Sequence, residues 1–202
     1  MSTKIQRDFV FQAGVHYENK MLMNLYSLTV TIYVEVDSAQ EQNIAMERIK
    51  YFLNDCLENS VFVSEKEKKA IDKYVHANIK ICTLPTEPYD QIVMQALLLK
   101  LNAITENRFV VTELILSSKM SDGIKFFSDI EDTDPLFEQN DGWWFNPNTS
   151  ISNLNRVDKK EKIVKLHTNP NEWENCLLWE IKADKSNVAE IIFTNMTEKA
   201  PV

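Results

Sequence analysis

Between Leu22 and Val36 the chain alternates: Tyr26, Leu28, Val30, Ile32, Val34 and Val36 are apolar, and Ser27, Thr29, Thr31, Tyr33 and Glu35 fall between them. A period of two puts the first set on one face of a β-strand and leaves the other face tolerant of polarity. Asp8 to Val15 reads as a partner strand, with the polar link from His16 to Lys20 as the turn. Arg108 to Ser117 predicts a further strand. Asp122-Gly123 is a hairpin turn signal, and Ile124 to Ile130 is the returning strand.

Helical spacing takes over between the two hairpins. Ser38-Ala39-Gln40-Glu41 has the form of a capping box, and Ala45, Ile49, Phe52, Leu53 and Cys56 follow at helical intervals, predicting a helix over about 39–59. Ser64-Glu65-Lys66-Glu67 is a second capping box, ahead of a short amphipathic helix through Ala70, Ile71, Tyr74 and Val75. Ile79 to Cys82 reads as a brief strand or extended link. Pro85 and Pro88 then punctuate the chain, and Pro88 suits a helix start because its missing N–H would be unbonded there. Ile92, Val93, Ala96, Leu97, Leu98, Leu99, Leu101 and Ile104 make the next helix apolar around most of its circumference, which predicts a deep position.

Two hairpins separated by helices predict an α+β fold over residues 1–130: an antiparallel sheet from two β-hairpins with helices packed on one face. The other face is half polar, as in a barrel lumen or a subunit contact. Residues 131–202 read as an extension of different texture. Asp129, Glu131, Asp132, Asp134, Glu138 and Asp141 occur with no Lys or Arg among them, then Trp143, Trp144 and Phe145, and β-rich segments over about 161–195.

Composition narrows the chemistry. Hydrophobic residues are 44% and charged residues 26% of 202, a globular balance. The glycines, Gly14, Gly123 and Gly142, are too dispersed to write a dinucleotide fingerprint or a P-loop. A net charge of −8, with Arg only at positions 7, 48, 108 and 156, opposes binding to nucleic acid through a basic face. No apolar run approaches the length of about 18 residues that a membrane helix needs. The N-terminus lacks the apolar core of a secretion signal. Cys56, Cys82 and Cys176 are odd in number and far apart, which suits reduced thiols in a cytoplasmic protein.

The element order, together with Phe11-Gln12-Ala13-Gly14-Val15-His16, Asn24-Leu25-Tyr26, Pro85-Thr86 with Asp90, and Ser118-Lys119-Met120-Ser121-Asp122-Gly123, resembles the T-fold (tunnelling-fold) superfamily of pterin synthases and dihydroneopterin aldolases over roughly residues 5–130. The resemblance implies a homo-oligomer whose subunits join hairpins around a tunnel. Its sites would lie between subunits and bind a planar pterin- or purine-like ring through a carboxylate. It also exposes departures. The synthases' zinc histidines fall on His16, Leu22 and Asn24, and Leu cannot ligate zinc, so neither a metal nor another cofactor is expected. The synthases' ring-binding Glu falls on Ser118.

Five residues remain as candidates. The aldolase's ring-binding Glu falls near Glu87 or Asp90, and its catalytic Lys on Lys119. Glu87 and Asp90 stand where a carboxylate either stabilises a helix N-terminus or accepts two parallel N–H bonds from an amino-heterocycle. Glu113 lies mid-strand, flanked on its face by Val111 and Ile115, as a solvated lumen residue or a ligand-binding one. Lys119 is an exposed loop lysine or, with the resemblance, a catalytic one. His16 is a turn residue or a proton shuttle in a subunit cleft. Against this small-molecule reading stands a non-catalytic or inhibitor-type interaction protein using the acidic, Trp-rich C-terminal third. That alternative requires Trp143 and Trp144 to form an exposed patch.

Overall fold

In the first hairpin, β1 (Thr3–Tyr17) and β2 (Lys20–Val34) pair antiparallel from Thr3↔Val34 to Tyr17↔Lys20. β1 is longer than the strand expected over Asp8 to Val15, and β2 starts two residues before Leu22. The turn is only Glu18 and Asn19, at φ 48° and 61°, the left-handed geometry that matches strand twist in a two-residue loop. A computed structural model of the chain describes residues 3–34, 39–131, 133–138 and 142–154, with Trp173 and Leu177. The capping serine Ser38, the end of the alternation at Val36 and the β-rich segments expected over 161–195 lie outside the described residues, apart from Trp173 and Leu177.

The chain continues through α1 (Ala39–Tyr51), a π-helical turn (Phe52–Leu57), β3 (Val61–Ser64), α2 (Lys68–His76), β4 (Ile81–Leu84), α3 (Asp90–Thr105), β5 (Val110–Ser118), β6 (Lys125–Asp129), a short α4 (Pro135–Glu138) and a 3-10 turn (Trp143–Phe145). The strands form one six-stranded sheet in the order β4-β3-β1-β2-β5-β6. The α+β class holds, with one correction: the sheet is mixed. β1–β2, β2–β5 and β5–β6 are antiparallel, but β1–β3 and β3–β4 run parallel. All four residues of β3 are buried, as are all four of β4. Strands covered on both faces carry no alternation for the sequence to display.

The helices do not all share one face as expected: α2 packs through Ala70, Ile71 and Tyr74 on Val61, Val63 and Ile81, opposite the main core, while α1 and α3 cover the face the pattern marks. Phe9, Phe11, Ala13 and Val15 of β1 and Tyr26, Leu28, Val30, Ile32 and Val34 of β2 are all buried. Against them lies α3, with Val93, Ala96, Leu97, Leu98, Leu101 and Ile104 at or near zero exposure. Each fully buried aliphatic side chain there contributes about 1.5–3 kcal/mol. The predicted helix over 39–59 is present in extent, but its last stretch is wound as a π-helix. The second capping box does not form. Ser64 ends β3, its hydroxyl accepts from the Lys66 amide at 3.3 Å, and α2 starts at Lys68 without a side-chain cap.

A register shift between Thr31 and Ile32 of β2 corrects the reading of Glu113. Val111 pairs with Ile32 and is fully buried, whereas Glu113 pairs with Thr31 and is half-buried beside Ile115. The irregularity turns Val111 to the helix face and leaves Glu113 on the other, as a bulge re-aims side chains.

The Trp-rich segment folds inward. Trp143 and Trp144 are fully buried, and Phe137 stands edge-on to Trp144 at 5.1 Å. Trp143 donates from Nε1 to the Thr83 carbonyl at 2.6 Å, so this segment also covers the β4 edge. The exposed aromatic patch required by an interaction role for these indoles is therefore not formed. Among the described residues no helix is long and apolar enough to cross a membrane.

Candidate functional site

Three of the five predicted residues gather at the hairpin end of the helix-covered face. The segment after β4 delivers Glu87, half-buried, then Pro88, Tyr89 and Asp90, the first residue of α3. Tyr89 is extended, at φ −68° and ψ 151°, which turns the chain into the helix. On the sheet side, β5 ends at Ser118, paired with Tyr26 of β2, and Lys119 follows in the turn. Register thus brings Asp90 and Ser118 together: the Ser118 hydroxyl donates to Asp90 Oδ2 at 2.7 Å.

That serine is itself locked. The Ser121 amide donates to Ser118 Oγ at 3.2 Å, and the Ser121 hydroxyl donates to the Ser118 carbonyl at 3.0 Å. Asn24 Oδ1 accepts from the Met120 amide at 3.1 Å, tying the same turn to β2. Asp90 places its charge at the positive end of the α3 dipole, a favourable arrangement. Its Oδ1 has no hydrogen-bond partner among the described residues, and neither carboxylate oxygen of Glu87 has one. The Tyr26 phenol lies nearby, buried and without a partner; burial pushes its pKa well up, so it is neutral.

An aromatic pair flanks these carboxylates. The Tyr17 and Tyr89 rings are 6.0 Å apart, tilted by 57°, and Tyr89 is half exposed. Contact with the Tyr89 hydroxyl, then the charge of Glu18, raises the pKa of the Tyr17 phenol, and Glu87 adds to the effect. Neither tyrosine was singled out from the sequence. The usable signal was that Tyr17 closes a strand whose other covered positions are apolar, while Tyr89 directly precedes a helix start.

The other two candidates are elsewhere. His16 pairs with Met21, on the face opposite Leu22 and Asn24, which pair with Val15 and Ala13. The three positions that the resemblance compares with zinc ligands are thus split between faces. Among the described residues no three His, Cys, Asp or Glu side chains gather as a metal-holding group. His16 Nδ1 lies 2.8 Å from the Tyr74 hydroxyl. Glu113 is on the open face, where Glu113 Oε2 accepts from the Thr31 hydroxyl at 3.4 Å and Gln6 Nε2 donates to Thr31 Oγ1 at 3.2 Å. Lys119 is exposed, and its side chain has no partner among the described residues. Among the described residues no imidazole reaches the Asp90–Ser118 pair; the cluster sets carboxylate acceptors beside aromatic rings.

No protein-family model matches the chain, and no curated protein matches it. Among solved structures it is similar to an uncharacterized protein of Wolinella succinogenes, at 9% identity and TM-score 0.47, over 64% of this chain and 99% of that one. It is also similar to 6-pyruvoyl tetrahydropterin synthase of Plasmodium vivax, at 9% identity and TM-score 0.41, over 64% of this chain and 99% of the synthase. The corresponding Plasmodium falciparum synthase aligns at 11% identity and TM-score 0.37, over 63% of this chain and 96% of that one.

Proposed function

We propose that this is a T-fold-like binding protein of the cytoplasm that holds a planar pterin- or purine-like amino-heterocycle, with Glu87 as the anchoring carboxylate. One observation carries the reading: Glu87 is half-buried, both its oxygens lack partners among the described residues, and it stands by the Tyr17–Tyr89 pair. A carboxylate in that state can accept two parallel N–H bonds from a ring amide and its exocyclic amine, and the tyrosines offer flat apolar contact. Asp90, with one oxygen held by Ser118, fixes the turn and adds negative charge; Lys119 supplies a cation at the rim. The interaction-protein alternative is weaker, because Trp143 and Trp144 are spent inside the core.

The reading includes self-association. Among the described residues β1 pairs with β3 only at Gly14 and Val15, which leaves the ladder edge of its N-terminal half without a described partner, and β6 ends the sheet on the other side. Two unlike free edges on one sheet favour head-to-tail closure into a ring. The face opposite α3, away from α2, carries Val10, Met23, Leu25 and Phe127 exposed, at 59%, 49%, 47% and 63%, and would line the enclosed space.

Calorimetric titration with neopterin and guanosine is the test. Binding should be saturable. Glu87→Gln should weaken it by roughly 10- to 100-fold, the scale of one or two hydrogen bonds to a charged group. Asp90→Asn should cost less. Silence toward both rings from a well-folded protein, or binding indifferent to Glu87→Gln, would overturn the reading.

A further inference from the structure

A separate cavity of about 350 Å³ opens between α2 and the end of the β1–β2 hairpin, a volume in the small-molecule range. It is bounded by His16 and Met21 of the hairpin, by Lys69, Lys73 and Tyr74 of α2, and by Ile79 beyond it. His16 lies on the sheet face opposite Tyr26 and α3, the face that α2 covers beside β3 and β4, so this cavity is distinct from the Glu87–Asp90 cluster.

Its electrostatics run against the rest of the molecule. The whole chain carries −8, yet among the described residues no carboxylate lines this cavity. Lys69 and Lys73 are exposed, form no ion pair among the described residues, and sit one helical turn apart, which places their Cβ atoms about 5–6 Å from each other. Two like charges at that spacing repel mildly, and an anion held between them relieves that repulsion. Behind them, His16 is 94% buried (6% exposed) and uses Nδ1 on the Tyr74 hydroxyl, while its Nε2 is buried without a partner. Such an unpaired polar atom costs free energy unless a ligand or water satisfies it. Met21 and Ile79 supply apolar wall.

We propose that this cavity is a binding site for a small phosphate monoester. Lys69 and Lys73 hold the phosphoryl group, and the ester's organic part lies against Met21 and Ile79. The charge count selects phosphate over carboxylate: two lysines match a monoester carrying about −1.5 to −2 near neutral pH, whereas a carboxylate leaves one lysine unbalanced. Lysine ammonium groups suit this role as point charges on mobile stems.

The probes are phenyl phosphate, inorganic phosphate and benzoate, titrated calorimetrically at low ionic strength into the full chain. Phenyl phosphate should bind saturably and more tightly than inorganic phosphate, and benzoate more weakly than phenyl phosphate. The double substitution Lys69→Gln/Lys73→Gln lies on an exposed helix face and leaves the core untouched. It should weaken phenyl phosphate by about tenfold or more, while Lys4→Gln/Lys125→Gln, remote exposed lysines, should leave it unchanged. Side-chain ¹⁵N resonances of His16 should shift during the wild-type titration. Absence of saturable phenyl phosphate binding overturns the proposal, as does equal binding by Lys69→Gln/Lys73→Gln or a benzoate affinity matching that of phenyl phosphate. Glu87→Gln should not alter this titration, so failure here is separable from failure of the heterocycle site.

Discussion

Lys100 has the least hospitable surroundings of any cation described. It is fully buried in α3, donates to the carbonyls of Trp143 at 3.0 Å and Asn146 at 2.8 Å, and lies over the rings of Phe52 and Trp143. Burial pushes its pKa down from 10.5 to about 7, with the thiols of Cys56 and Cys82 acting weakly the other way. The sign of the consequence follows from proton counting. Above about pH 7 the folded chain has released a proton that the unfolded chain still holds, so stability rises with pH. Near pH 9 the trend meets an opposing one: burial holds the Cys82 thiol protonated in the fold while the unfolded thiol ionises. Urea unfolding should therefore give a stability that climbs between pH 7 and 9. Lys100→Met should abolish that climb while lowering stability overall, because two carbonyls lose their donor; an unchanged slope would show that Lys100 is not its source. The sequence offered a hint here, a lysine inside an otherwise apolar helix, but apolar spacing alone does not say which polar intruder is clamped.

Ion pairs at their ends add to the apolar contacts that join the elements. Glu106 follows the last residue of α3 in the left-handed conformation, at φ 49°. Its Oε2 accepts from Arg48 of α1 and from Arg108, each at 2.6 Å, and Arg108 Nε also donates to Glu41 at 2.8 Å. Burial acts to raise the Glu106 pKa, but the bonds from Arg108 and Arg48 outweigh it and hold the carboxyl below the usual range. A carboxylate lowered in the folded state contributes stability above its unfolded pKa, near 4.3, and loses it as pH falls through the folded value. Glu106→Gln should flatten the acid limb of a stability–pH curve below about pH 5 and leave the rise between pH 7 and 9 intact; a parallel acid limb would refute the linkage. This scale also shows how legibility divides. The hairpins and α3 were readable because one face or nearly the whole circumference is apolar, as Tyr26 to Val34 and Val93 to Ile104 show. β3 was not, and β4 was read only as a brief strand or extended link over 79–82: Val61–Ser64 is buried throughout, and a short apolar run says neither strand nor direction. Ser64 looked like a cap because the capping box is a local pattern, and tertiary pairing into the sheet overrode it.

At the scale of the molecule, closure depends on two edges that no sequence pattern distinguishes from covered ones. The β4 edge looks equally open in sequence, yet Thr83 is engaged by Ile151, Asn153 and Trp143. Among the described residues that leaves the N-terminal half of β1 and β6. The site residues divide the same way: Asp90 and Lys119 were found through resemblance and helix-start chemistry, while the lysine-lined cavity needed α2 placed beside His16, a contact across 58 positions of chain. If the two free edges meet each other between copies, single substitutions have an asymmetric signature. Val10→Lys on β1 or Phe127→Lys on β6 should each reduce the assembly toward single chains in light scattering, with an unchanged far-ultraviolet spectrum. Mixing the two variants should restore a dimer and nothing larger, because each supplies the one edge the other lacks. An interface that instead paired β6 with β6 across a two-fold axis would let Val10→Lys dimerise alone and would make mixing with Phe127→Lys ineffective. The same experiment therefore decides both whether copies associate and which edges they use.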